Sequence, residues 1–232
     1  MANAISQSIA LFGLGFVLGL KHALDADHVV ALSTFVSQTR SLKQSSWFGI
    51  SWGMGHTLTL SLVGLVILVF RLTVPEKLAL AFEFLVGILL VGLGANVIRR
   101  TLQGKLHLHA HAQGNDVVHT HRHAHRWSPF HGPTHASFAV GMVHGLAGSA
   151  ALALLVLTTV PSVVAGLLFI LIFGAGSILG MFITTTLIAV PLQMVSRLGR
   201  MSTTVNVVAG TASVLLGIFF MYEIGVVNAL FF

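Results

Sequence analysis

The chain contains no cysteine, and charged residues fill only 8% of its 232 positions. Without cysteine there are no disulfides, thiolate metal sites or iron–sulfur ligands. Soluble domains carry about 25% charged residues, so the shortage of charge excludes an ordinary soluble fold. Acids are scarcer than bases: six Asp and Glu stand against twelve Lys and Arg. No glycine-rich phosphate loop ending in Lys-Ser/Thr is present, which excludes ATP hydrolysis by that route. No serine nucleophile elbow occurs, and no cleavable leader pattern stands apart from the first apolar stretch.

What is present is apolar. Hydrophobic residues make up 55% of the chain, and the mean hydropathy is +0.93. Six stretches, near 5–36, 47–70, 78–98, 137–158, 162–191 and 205–227, reach the roughly 20 residues needed to cross about 30 Å of hydrocarbon. The expected fold is an all-α polytopic membrane protein with six transmembrane helices. The first and fifth stretches are long enough to kink or break. Arg40, Lys43, Arg99, Arg100, Lys105, Arg122, Arg126, Arg197 and Arg200 fall on one side, whereas Arg71 and Lys77 fall on the other. The basic side is read as cytoplasmic, which puts both termini outside. The formal charge of +6 is therefore read as orientation against an anionic leaflet and not as nucleic-acid binding.

The two halves resemble each other. A shift of 122 residues sets Phe16, Gly19, His22, Leu24, Ala31 and Leu32 on Phe138, Gly141, His144, Leu146, Ala153 and Leu154. A shift of 121 sets Gly53–His56 on Gly174–Ser177, and one of 123 pairs Gly87 and Gly94 with Gly210 and Gly217. A unit of three spans is odd in number, so its second copy must be inverted, an arrangement that puts transport sites where the copies meet. Three regions follow: 1–98, a three-helix repeat carrying the metal motif; 99–136, a histidine-rich cytoplasmic loop; and 137–232, the second three-helix repeat.

The run "LKHALDADHVVAL" places His22, Asp25, Asp27 and His28 inside the first span. A carboxylate at mid-bilayer costs about 2.5–3.5 kcal/mol. A Lys21–Asp25 pair four residues apart accounts for one acid, but not for Asp27 or the flanking histidines. A divalent transition metal accounts for all four, because imidazole and carboxylate suit nickel, cobalt and zinc. At about 100° per residue, His22, Asp25 and His28 share a helical face that Asp27 does not. The spacing therefore predicts either a break in the helix or a role for Asp27 in fixing a histidine tautomer. His56 follows two glycines in "WGMGH" and is a candidate ligand beside the first span. His144, the repeat mate of His22, either completes the site or packs. Glu83 and Glu223 belong either to proton coupling or to a polar seam. The loop holds nine of the thirteen histidines, many in alternation as in "HTHRHAH", a composition that reads as metal binding.

At "HALDADH" the sequence resembles the nickel/cobalt transporter (NiCoT) superfamily, whose hallmark is a His, four residues, then Asp-His in a transmembrane helix. "GMGHT" is similar to that family's second motif. The resemblance implies Ni²⁺ or Co²⁺ permeation and assigns His22, Asp27, His28 and His56 to the path. Members with eight spans carry a further acidic motif, for which this chain has only "HGLAGSAAL". It is more similar to the six-span branch of urease-accessory-type permeases and histidine-loop exporters. The expectation is an inner-membrane cation permease for Ni²⁺, and for Co²⁺, with His22, Asp25, Asp27, His28, His56 and His144 as metal residues. The metal is substrate, with no cofactor and no enzymatic step. Urease or hydrogenase maturation proteins are the expected partners beside the ion and the bilayer. Efflux of the same ions, a membrane-embedded metalloenzyme, and a membrane metal sensor or chaperone docking partner that works through the loop are the alternatives.

Overall fold

The computed structural model describes residues 2–39, 41–103, 108–113, 117–122, 133–160, 162–196 and 200–231. Among them are seven α-helices: α1 (Ala2–His22), α2 (Ala26–Val36), α3 (Leu42–Phe70), α4 (Glu76–Leu102), α5 (Pro133–Thr159), α6 (Val163–Ser196) and α7 (Arg200–Tyr222). A π-helical turn, Glu223–Val227, continues α7. Four helices are long and apolar enough to cross a membrane: α3, α4, α6 and α7 with its π turn. The pair α1 and α2, bent by 53° at a short break, is a fifth candidate, as one broken span or as a re-entrant loop. The chain is thus an all-α polytopic membrane protein. The remaining apolar stretch corresponds to α5, a helix of 27 residues, of which the side chains of 149–159 lie outside the described residues.

Local chemistry sets the boundaries. Ser41 caps α3 by accepting from the Gln44 N–H, one of the donors that a helix start leaves unsatisfied. Arg71 ends α3 in the left-handed region at φ 49°. Pro75 then precedes α4 with extended backbone. In contrast, Pro191 does not break α6, which runs 34 residues through it. The first span does break. Asp25 at the start of α2 is extended (φ −61°, ψ 146°) and makes no capping bond. The amides of Leu24 and Asp25 turn back to the carbonyls of Lys21 and His22.

Helix α3 lies between α5 and α6, α1 packs on α6, and α4 on α7, while α2 touches four neighbours. Small residues make the contacts. A methyl group on Gly19 would strike the Phe173 carbonyl, one on Gly141 the Trp52 carbonyl, one on Gly55 the Phe138 carbonyl and one on Gly176 the Phe16 carbonyl. Lipid supplies no hydrophobic drive between helices, so this close backbone packing and cross-helix hydrogen bonds hold the bundle. Ser137 Oγ donates to Phe48 O at 2.7 Å and Ser213 Oγ to Leu90 O at 2.8 Å.

Part of the histidine-rich loop is extended and paired. Strands β1 (Leu108–Gln113) and β2 (Val117–Arg122) are antiparallel, with His109 opposite His121 and His111 opposite His119. His107, His123, His125 and His131 lie outside the described residues. His135 sits exposed in the first turn of α5.

Candidate metal centre

His22 is the last residue of α1 and His28 lies in the first turn of α2. The break between them turns one helical face into a corner, and both imidazoles point into it. The ring centroids of His22 and His28 are 4.6 Å apart; His56, from the middle of α3, is 5.1 Å from the first and 5.3 Å from the second. One ring nitrogen of each of the three lies within 4.8 Å of the others. His144 of α5 stands behind, 5.0 Å from His28 between centroids. His28, His56 and His144 are buried, with at most 1% exposed.

The two carboxylates lie beside histidines. Neither Asp25 nor Asp27 joins the three-histidine group. His22 Nδ1 donates to Asp25 Oδ2 at 2.8 Å, and His28 Nδ1 donates to Asp27 Oδ1 at 3.1 Å. The break is what allows this: Asp25 leaves the amides of α2 and reaches back to α1. The Asp25 side chain is half exposed, and that of Asp27 is about one-fifth exposed. Asp27 Oδ2 also lies 3.6 Å from His144 Nε2. A carboxylate on Nδ1–H fixes the tautomer and leaves the Nε2 lone pair free for a metal.

Free lone pairs are present in the right place. His28 Nε2 and both ring nitrogens of His56 are buried with no hydrogen-bond partner among the described residues. Buried polar atoms without partners are costly, and a cation would account for His28 Nε2 and for one of the two His56 nitrogens. With metal–nitrogen bonds of about 2.1 Å, two ligands on one ion sit at most about 4.2 Å apart. Small ring rotations therefore close the group on an ion. Three neutral imidazoles suit a borderline dication such as Ni²⁺, Co²⁺ or Zn²⁺.

Other side chains border the cluster. Phe173 packs on His22 at 5.5 Å and Trp52 on His144 at 5.0 Å between ring centroids. Gly148 of α5 borders the cluster: a methyl group there would lie 3.7 Å from His22 Nε2 and 3.8 Å from His56 Cε1. Trp52 lies four residues before His56 and Gly148 four after His144, so helical periodicity could have found both. Glu83 and Glu223, far apart in the chain, line the same cavity as His22 and His28.

No family model matches the chain, and no solved structure does. The chloroplast protein FOR GROWTH AND FERTILITY 1 of Arabidopsis thaliana is 32% identical over 170 residues, covering 72% of this chain and 46% of the plant protein. The urease accessory protein UreH of Bacillus sp. (strain TB-90) is 41% identical over 223 residues, covering 96% of this chain and 95% of that protein. Identity at this level over nearly the whole of both chains shows common descent: the chain belongs to the family of the urease accessory protein UreH.

Proposed function

We propose that the protein is a permease that carries Ni²⁺, and with it Co²⁺, across the inner membrane through the imidazole cluster. The observation that carries this reading is the group His22, His28 and His56, whose nitrogens converge within 4.8 Å inside a bundle of membrane-crossing helices. The name of the Bacillus relative, a urease accessory protein, favours nickel and uptake that feeds urease maturation. Asp25 and Asp27 hold two of the imidazoles, balance the charge of a dication, and take no part in a chemical step. The distribution of Lys and Arg supports both termini outside and the histidine-rich loop on the cytoplasmic side, where it collects metal.

Alternating access follows if the two halves are inverted copies over six crossings. Reciprocal contacts support that reading. Gly19 meets Phe173 while its counterpart Gly141 meets Trp52, and Gly55 meets Phe138 while Gly176 meets Phe16. Phe173 packs on His22 as Trp52 packs on His144. Each pair maps onto the other under the shifts of 121 and 122 residues seen in the sequence. Rocking of one half against the other would expose the histidines to each side in turn.

The test is Ni²⁺, Co²⁺ and Zn²⁺ uptake into proteoliposomes by the wild type, His22→Ala, His28→Ala and a variant lacking 105–131. Both histidine variants should lose uptake, and the loop deletion should retain it. A metalloenzyme would move no metal, and a sensor would fail without the loop. Histidine variants that transport like the wild type remove the site.

A further inference from the structure

A cavity of about 380 Å³ adjoins the histidines, and its walls include Asp25, Asp27, Glu83, Glu223 and Asn228. The chain has only six acidic residues, so four of them share one cavity. No Lys or Arg lines it among the described residues. A recess walled by one sign of charge and surrounded by apolar helices concentrates counter-ions. Six waters occupy roughly 180 Å³ at ~30 Å³ each, so a hydrated dication fits.

Acidic residues gathered in a recess do not alone make a site. The second observation is His28, 1% exposed, whose Nε2 has no hydrogen-bond partner among the described residues and whose ring lies on the same wall. The recess therefore has carboxylate oxygens and the ring of His28, with its unpaired nitrogen, among its lining. Its outer end can be located along the bundle. Gly87 contacts Gly217, and Gly94 contacts Gly210, so α4 and α7 are antiparallel. Glu83, two turns into α4, and Glu223, at the end of α7, hence share the end of the bundle that carries Arg71 and Lys77, opposite the arginine-rich loops. Phe84 and Phe231 pack there at 5.2 Å between rings. The chain adopts a π turn and a left-handed Ala229 (φ 56°) around Glu223 and Asn228.

Resting on the permease reading above, we propose that this recess is the extracytoplasmic entry port, in which Glu83, Glu223 and Asn228 form an oxygen-ligand station that receives a hydrated divalent cation before it passes to His28. Hard oxygen ligands suit an ion that still keeps water, and imidazole takes over once water has been shed. The station raises capture and leaves the equilibrium grip of the histidines alone.

The test compares the wild type, Glu83→Gln, Glu223→Gln, the double variant and His28→Ala in proteoliposomes. Ni²⁺ uptake is read at sub-saturating metal, at low and at high ionic strength, and equilibrium Ni²⁺ binding is read on the purified proteins. The double variant should take up Ni²⁺ about tenfold more slowly at low salt and lose most of the salt dependence. Its equilibrium binding should stay within about twofold of wild type, which also shows that it is folded. Glu→Asp variants at both positions should recover most of the rate. Wild-type uptake by the double variant, with His28→Ala inactive, overturns the port and leaves the permease standing. Loss of equilibrium binding in the double variant overturns the port too, because the carboxylates would then belong to the inner site or to the fold. A wild-type protein that neither binds nor moves metal overturns both readings.

Discussion

Asp27 Oδ2 lies 3.6 Å from His144 Nε2, linking α2 in the first half of the chain to α5 in the second. The same carboxylate accepts from His28 Nδ1 through its other oxygen. One acid thus orients an imidazole of the three-histidine group and touches a second histidine across the interface. Asp27→Asn would keep the size and remove the charge. An amide can present its N–H to Nδ1 and so reverse the His28 tautomer, turning the lone pair away from the centre. Loss of such a supporting partner costs about 10–100-fold in metal affinity. Calorimetric Ni²⁺ titration of the purified variant should show a drop in that range, and Asp27→Glu a smaller one. Unchanged affinity in Asp27→Asn would remove the orienting role.

Protons compete with metal for the same imidazole lone pairs. Ordinary histidine titrates near 6.5, and metal binding to neutral ligands releases protons. Ni²⁺ affinity should therefore fall as pH is lowered from about 8 towards 5. The check is the binding constant measured across that range in two buffers with different ionisation enthalpies, which counts the protons released. A constant that ignores pH would point to ligands other than histidine.

Gly148 leaves open the space beside His22 and His56. A methyl group would sit at ordinary contact distance from both rings, so Gly148→Ala should transport within about twofold of wild type. Gly148→Leu pushes a branched side chain between them. Strain of about 1–3 kcal/mol, if it falls on the ion-bound arrangement alone, corresponds to about a 5- to 150-fold loss in binding. Uptake and equilibrium binding should fall together in the leucine variant while its thermal stability in detergent stays near wild type.

Gly55 answers a different need. A Cβ there would run into the Phe138 carbonyl of α5, and backbone has no rotamer with which to move aside. Gly55→Ala should destabilise the protein by about 1–3 kcal/mol, and Gly92→Ala, where a Cβ meets nothing within 4 Å, should not. Melting curves of the two variants in detergent measure the difference. Equal stability would mean that α3 and α5 are not in backbone contact.

Much of this architecture was legible. The apolar runs located the helices because hydrocarbon imposes a minimum length, and the positions of His22, His28 and His56 signalled a polar centre because imidazoles are rare in lipid. The angular misfit of Asp27 on a continuous helix also pointed to the break at 23–25, which the structure contains. The role of Asp25 was not legible. Whether Asp25 caps α2 or reaches back to His22 depends on a side-chain rotamer at a corner that spacing does not describe. Glu83 and Glu223 could not be joined in advance either, because only the antiparallel packing of α4 on α7 brings them to one cavity. The pairing of His109 with His121 required knowing where the hairpin turns, and alternation alone does not say.

The 53° corner between α1 and α2 has a mechanical consequence. One jaw of a pair of tweezers carries His22 and the other His28, and the few residues between them are the pivot. Any swing of either jaw changes the gap between the tips, so the tightness with which an ion is pinched becomes a direct readout of the angle at which the two arms stand.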